Sequence, residues 1–212
     1  MRPWLGRRIL DVGAGIGATF DVLGDAPHES WLALEPDPNL AAQLRKRHEA
    51  SLLSPALQLR VGTVDDLSED ELFDTILYID VLEHIAEDRA QLATAARHLA
   101  TGGRLVVLSP AHSWLFSPFD AAIGHVRRYD RVRLREAAPV HLTCLKLDYL
   151  DSAGLLASIG NRLLLRSSEP SPAQIRFWDG LLVPFSRRLD PLLGRRVGKS
   201  ILGVWQKDST RG

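Results

Sequence analysis

Three glycines at alternate positions close the segment Ile9-Leu-Asp-Val-Gly-Ala-Gly-Ile-Gly, and two carboxylates frame them. Gly13 and Gly15, with Ala14 between, let the backbone turn tightly and approach a ligand without a Cβ in the way, and Gly17 lets the next helix pack close. Glu35 follows about twenty residues on, where a carboxylate can accept both hydroxyls of a ribose. The same turn also satisfies the dinucleotide fingerprint G-x-G-x-x-G/A, so an NAD(P)-binding oxidoreductase stays open at this point. Asp11, two residues before Gly13, favours another ligand. Its charge repels a pyrophosphate and suits a ligand carrying an ammonium group and a sulfonium.

These residues need a scaffold, and the chain alternates strand and helix patterns as a parallel sheet requires. Strands rich in Val, Ile or Leu are predicted at Arg8–Val12, Trp31–Glu35, Leu57–Val61, Thr75–Ile79, Arg104–Leu108, Val140–Leu150 and Lys199–Gln206. Helices are predicted at Pro38–Ala50, capped by Asp37, and at Asp88–Ala100, stopped by Thr101-Gly-Gly. About fifty residues separate the last two strands, too many for a bare loop. Within them Ile175, Trp178, Leu182, Phe185, Leu189 and Leu192 form an amphipathic stripe interrupted at Pro184, read as packing over the site or dimerising. The expectation is one domain over 1–212 with a helical insertion at about 151–197.

Composition narrows the partners. Lys plus Arg and Asp plus Glu balance at 26 each, so no net field attracts nucleic acid. The only cysteine, Cys144, excludes an internal disulfide or a multi-cysteine zinc site, and its apolar neighbours predict a buried, inert thiol. No run approaches the roughly 20 apolar residues of a membrane span. The expectation is a cytoplasmic monomer or homodimer with no bound metal.

Five blocks in order resemble the class I, Rossmann-like S-adenosylmethionine (SAM)-dependent methyltransferases. They are the glycine segment, Leu34-Glu-Pro-Asp-Pro, Gly62-Thr-Val-Asp-Asp-Leu, Phe73-Asp-Thr-Ile-Leu-Tyr-Ile-Asp-Val-Leu-Glu-His-Ile and Leu99-Ala-Thr-Gly-Gly-Arg-Leu-Val-Val. The resemblance implies an α/β fold: a seven-stranded, mostly parallel sheet with an antiparallel last strand and helices on both faces. It implies SAM as cofactor, with Asp11, Gly13, Ala14 and Gly15 at its methionine end and Glu35 on the ribose. Pro36 and Asp37 would lie beside the adenine, Thr63 and Val64 at its edge, and Ile79 and Asp80 near the sulfonium. Relatives often carry Asp where Thr63 stands, so only a hydroxyl is offered there. Gly124-His-Val-Arg-Arg-Tyr-Asp looks like a subgroup block, loosely associated with polyprenyl, lipid or cell-envelope chemistry.

The implied reaction is methyl transfer to a small-molecule or lipid-like acceptor. A hydroxyl or carbon acid needs a general base within hydrogen-bond reach. Among His84, His112, His125, Asp80 and Tyr129 the preferred base is His125, in a loop beyond the fifth strand, because histidine is the side chain suited to proton transfer near neutral pH. Arg127 and Arg128 would fork an anionic acceptor group, and Tyr129 would orient it. His112, Trp114, Phe116 and Phe119 suit an aromatic acceptor pocket or core packing, and Glu83-His84 suits helix capping. A SAM-binding scaffold without activity is the remaining alternative.

Overall fold

The computed structural model describes residues 1–51, 57–160, 180 and 182–208. The strands are β1 (Arg8–Val12), β2 (Ser30–Glu35), β3 (Leu57–Val61), β4 (Phe73–Ile79), β5 (Leu99–Pro110), β6 (Leu142–Leu150) and β7 (Ser200–Lys207). They form one sheet in the order β3-β2-β1-β4-β5-β7-β6. The first five are parallel, and β7 runs antiparallel to both β5 and β6.

The central strands β1, β2, β4, β5 and β7 are largely apolar because helices cover both faces. On one face Leu10, Ile76, Tyr78, Leu105 and Trp205 pack against Leu92 of α3 (Asp88–Arg97) and Leu134 of α5 (Arg131–Ala137). On the other, Ile9, Leu77, Val106 and Val204 pack against Phe20 of α1 (Ala18–Leu23) and Leu44 of α2 (Pro38–Ser51). The remaining described helices are α4 (Pro118–Ala122), α6 (Ser152–Gly160) and α7 (Val183–Leu192). Asp37 starts α2 as predicted, its Oδ1 accepting Asn39 N at 2.7 Å.

Two expectations are corrected. The helix expected to reach Ala100 ends at Arg97, and Leu99 already pairs with Phe73, so Thr101-Gly-Gly lies inside β5 and does not stop a helix. Cys144 is exposed, because β6 is the edge strand and its apolar run is not enclosed on both faces. Pro184 sits in the first turn of α7, where a missing N–H costs nothing, and residues 180 and 182 before it are in a π-helical turn, so the winding changes at this proline. Of the amphipathic stripe, Phe185 and Leu192 on α7 are exposed, while Ile175 and Trp178 lie outside the described residues.

Candidate active site

Strand order reverses between β1 and β4, and in such sheets ligands bind outside the carboxyl ends at that switch point. Val12 pairs with Tyr78, so the glycine turn after β1 and Asp80 after β4 face the same crevice. Gly13 and Ala14 donate their N–H groups to Leu34 O at 2.8 and 3.1 Å. Gly13 has φ 66°, and a Cβ there would lie 2.7 Å from Val81 Cγ2. A Cβ on Gly15 would meet nothing within 4 Å, so that face of the turn is open to a ligand. Gly17 has φ 93°, and a Cβ there would collide with Leu44 of α2.

The two carboxylates differ in their partners. Glu35 is buried and ties the turn to β2, its Oε2 accepting Gly15 N at 2.7 Å and its Oε1 accepting Asp37 N at 2.9 Å. A carboxylate has about four lone-pair sites, which leaves capacity for ribose hydroxyls. Asp11 is buried, its Oδ2 has no hydrogen-bond partner, and burial pushes its pKa up to about 7. A buried acid with an unpartnered oxygen is suited to receiving a cation.

Along the adenine edge, Pro36 and Asp37 are exposed. Thr63 is exposed too and caps the next turn, with its N–H and hydroxyl both donating to Asp66 Oδ2. The Val64 side chain is fully buried in the core, so only its backbone can face a ligand. Ile79 is half-buried at the end of β4. Asp80 adopts φ 54°, a strained conformation for a residue other than glycine, held by Asp80 N donating to Leu108 O at 2.8 Å. It is open to water yet closely walled by protein, and burial raises its pKa against the pull of His125 and Lys199.

Beside Asp80 a second cluster forms around Asp120 of α4. Its carboxylate accepts Ser117 N and Oγ at 2.8 and 2.7 Å, faces His125 Nδ1 at 2.9 Å, and takes Arg128 Nε at 2.9 Å. Burial opposes ionisation of Asp120, but these partners outweigh it and hold the pKa below the ordinary range. An ionised Asp120 places the proton of His125 on Nδ1 and leaves Nε2 pointing to Glu83 Oε1, 3.8 Å away. Glu83 is fully buried, and neither of its oxygens has a hydrogen-bond partner. Burial, then the charge of Asp80, push Glu83 up to about 7. The His84 ring lies edge-on to His125, with centroids 4.7 Å apart. Burial, then His125, lower its pKa.

The other polar candidates turn inward. Arg128 grips Asp120 with its fork and reaches Ala111 O at 3.3 Å, while Arg127 pairs with Asp88 and donates to Ala86 O. The chain's own acceptors engage the Arg128 fork and both terminal nitrogens of Arg127, leaving Arg127 Nε without a partner, which revises the expectation that the two hold an acceptor anion. Tyr129 is fully buried and donates to Asp88 Oδ2 at 2.7 Å, so it is placed to brace the loop and not to touch an acceptor. His112 Nε2 meets Gly198 O at 2.9 Å and its ring stacks on Tyr149, whereas Trp114 and Phe116 are exposed nearby. Sequence reasoning missed Asp120, whose contacts with His125 and Arg128 depend on how the loop turns back on α4, and the link from Glu83 to His125, residues some forty positions apart that meet only through the fold.

A sequence model of the family described as "Methyltransferase domain" matches residues 10–105, which span β1 to β5 and every element of the glycine site. Over those residues the chain is similar to that methyltransferase family, and its sheet has the Rossmann-like methyltransferase fold. It is 30% identical over 164 residues to the ubiquinone biosynthesis O-methyltransferase of Rhodopseudomonas palustris (strain BisB18), covering 71% of this chain and 62% of that protein. It is 32% identical over 103 residues to the protein of the same name from Paramagnetospirillum magneticum, covering 49% of this chain and 40% of that one. The chain thus spans less than two thirds of the length of either relative. The solved structure of a geranyl diphosphate methyltransferase in complex with SAM superimposes with a TM-score of 0.66 at 16% identity, covering 95% of this chain and 78% of that one.

The family's methyl donor fits the residues present. The orphaned oxygen of Asp11 suits the cationic amino-acid end of SAM, the open face of Gly15 admits its backbone-proximal part, and Glu35 retains lone pairs for the ribose. A diphosphate bridge would meet the Asp11 carboxyl instead, which disfavours an NAD(P) ligand.

Proposed function

We propose that this chain transfers a methyl group from SAM to an oxygen atom of a small-molecule or lipid-like acceptor, with His125 as general base. The observation that carries the reading is the Asp120–His125 pair, with Nδ1 2.9 Å from the Asp120 carboxylate. When bound, SAM supplies an electrophilic methyl on a sulfonium. Asp11, Gly13, Ala14, Gly15 and Glu35 hold it, Pro36, Thr63 and Val64 border its adenine, and Ile79 and Asp80 border the sulfonium. Positioning supplies much of the acceleration of such an in-line displacement. His125 takes the hydroxyl proton, Asp120 stabilises the imidazolium that results, and Arg128 and Tyr129 brace the loop that carries it.

The relatives named as O-methyltransferases support oxygen as the acceptor atom, and the exposed Trp114 and Phe116 support an apolar acceptor body. The balanced charge supports a partner other than nucleic acid. Among the described residues no helix is long and apolar enough to cross a membrane. We place the protein in the cytoplasm as a monomer or homodimer, one domain over 1–212 with the helical insertion at about 151–197. Incubation with methyl-labelled SAM and a cell extract, followed by mass identification of the product, tests the reading. Label carried on oxygen of a small product is expected, and label confined to nucleic acid or protein would overturn it.

One observation favours a second reading of the same three side chains. Glu83, His84 and His125 offer ligand atoms all within 4.8 Å of one another, and the Glu83 oxygens have no hydrogen-bond partner. A divalent cation there would polarise the acceptor hydroxyl in place of a base. Turnover lost on chelation and restored by the cation alone would select this reading. Turnover indifferent to chelation selects the base.

A further inference from the structure

Helix α7 buries polar side chains and exposes apolar ones. Ser186 and Asp190, one turn apart, are both buried. Asp190 Oδ2 and Oδ1 accept Asp151 N and Ser152 N at 2.9 and 3.0 Å, which caps the first turn of α6. Ser186 Oγ donates to Asp151 Oδ1 at 2.7 Å and accepts Ala153 N at 3.0 Å. Because β6 runs in the same direction as β5, Asp151 at its end stands at the carboxyl edge of the sheet, and α7 is anchored there.

The opposite face carries Phe185, Arg188 and Leu192, spaced i, i+3 and i+7 and so aligned along the helix. Phe185 is 57% exposed and Leu192 83%, which leaves most of either side chain without a packing partner. The chain leaves the helix with Leu193, Arg196 and Val197 also exposed. Residues 183–197 hold four arginines and one acid, in a chain whose charges balance overall. That acid is Asp190, which is committed to α6, and Arg195 Nε lies 3.7 Å from Asp148 Oδ2. Arg188 and Arg196 are exposed beside the apolar residues.

We propose that the outward face of α7, with the turn that follows it, docks on an anionic lipid bilayer. Phe185 and Leu192 enter the boundary between headgroups and acyl chains, while Arg188 and Arg196 meet lipid phosphates. Charge and apolar surface together single out this partner. Nucleic acid offers phosphate without an apolar layer. A two-fold dimer through this face would set one group of cations against the same group, with no exposed acid in the segment to pair them. The docking does not depend on the methyl-transfer reading; where that reading holds, it brings bilayer-dissolved acceptors to the end of the sheet where the crevice lies.

Sedimentation of the full chain with vesicles tests this without turnover. One set is phosphatidylcholine and phosphatidylglycerol in equal parts, the other phosphatidylcholine alone. The wild type is expected to bind the mixed vesicles about tenfold more tightly, with the preference shrinking as salt rises. Phe185→Ser with Leu192→Ser lowers binding to both sets by about tenfold or more. Arg188→Gln with Arg196→Gln lowers binding to the mixed vesicles about tenfold and leaves phosphatidylcholine binding unchanged. Both pairs are exposed and lie outside the glycine site, so melting temperature and S-adenosylhomocysteine affinity stay at wild-type values. Should the serine pair melt lower, the glutamine pair and the salt series decide alone. Wild type that binds neither set, or both equally, overturns the proposal, as does either variant pair that binds as the wild type does. A lipid-free dimer that the serine pair converts to monomer, with no vesicle uptake, assigns the face to a second copy and overturns it too.

Discussion

His125 Nδ1 lies 2.9 Å from Asp120 Oδ1, and that contact turns Nε2 away from the loop toward Glu83. The carboxylate fixes both the tautomer and the aim of the ring, as an orienting acid does for any histidine base. His125→Ala is expected to lower turnover by about 10²–10⁴ at saturating SAM, with little change in SAM affinity. Asp120→Asn should lower it less and leave KM for SAM unchanged, because the ring stays but its tautomer is no longer enforced. Steady-state kinetics on both variants checks this, and undiminished turnover in His125→Ala removes the residue from the mechanism.

Tyr129 is expected to matter for stability alone. Its hydroxyl donates to Asp88 Oδ2 at 2.7 Å inside the core, and Arg127 reaches the same carboxylate. Tyr129→Phe removes one donor from a buried acid, which costs about 1–3 kcal/mol. Denaturant unfolding should show that loss while turnover per folded molecule stays constant. A fall in turnover at constant fold would return Tyr129 to the acceptor site.

What the residue order could and could not reveal follows from the range of each interaction. The glycine turn, Asp11 and Glu35 were readable because one tight turn and one strand–helix–strand unit place them. Asp80 and Ile79 were placed by resemblance, and the parallel pairing of β1 with β4 brings them to the same crevice. Strand existence was readable from apolar runs, but the start of β5 was not, since Gly102 has φ 75° and turns the chain inside the strand without ending it. The inward commitment of Arg127, Arg128 and Tyr129 was not readable, because a side chain's partner across 8 to 41 residues depends on packing.

Gly13 gives a prediction with a built-in rescue. An alanine there must hold φ 66° and place its Cβ 2.7 and 2.9 Å from the two Val81 methyl groups. The left-handed conformation alone costs about 1–2 kcal/mol, and the collision adds to it. Gly13→Ala should therefore lower the melting temperature and weaken SAM binding together. Adding Val81→Ala removes the collision but not the backbone strain, so the double variant should recover part of both. Equal melting temperatures for the single and double variants would show that Val81 does not set the position of the turn.

Asp11 couples cofactor binding to pH. Burial pushes its pKa from 3.8 to about 7, so the folded chain keeps a proton that the unfolded chain releases between those values. Stability without ligand is therefore greatest at the acid end of that interval and falls as pH rises toward 7, by on the order of 3–4 kcal/mol from this residue. Asp11→Asn, neutral at every pH, should flatten that slope and melt higher than the wild type above pH 7 while losing SAM affinity, a cost in stability carried for binding. A cationic ligand end favours ionised Asp11, so SAM uptake near pH 6 should release a proton and affinity should rise with pH until about 7. Calorimetry in buffers of different ionisation enthalpy measures that release directly. Uptake with no proton released at pH 6 would mean that SAM's ammonium and sulfonium are held by groups other than Asp11.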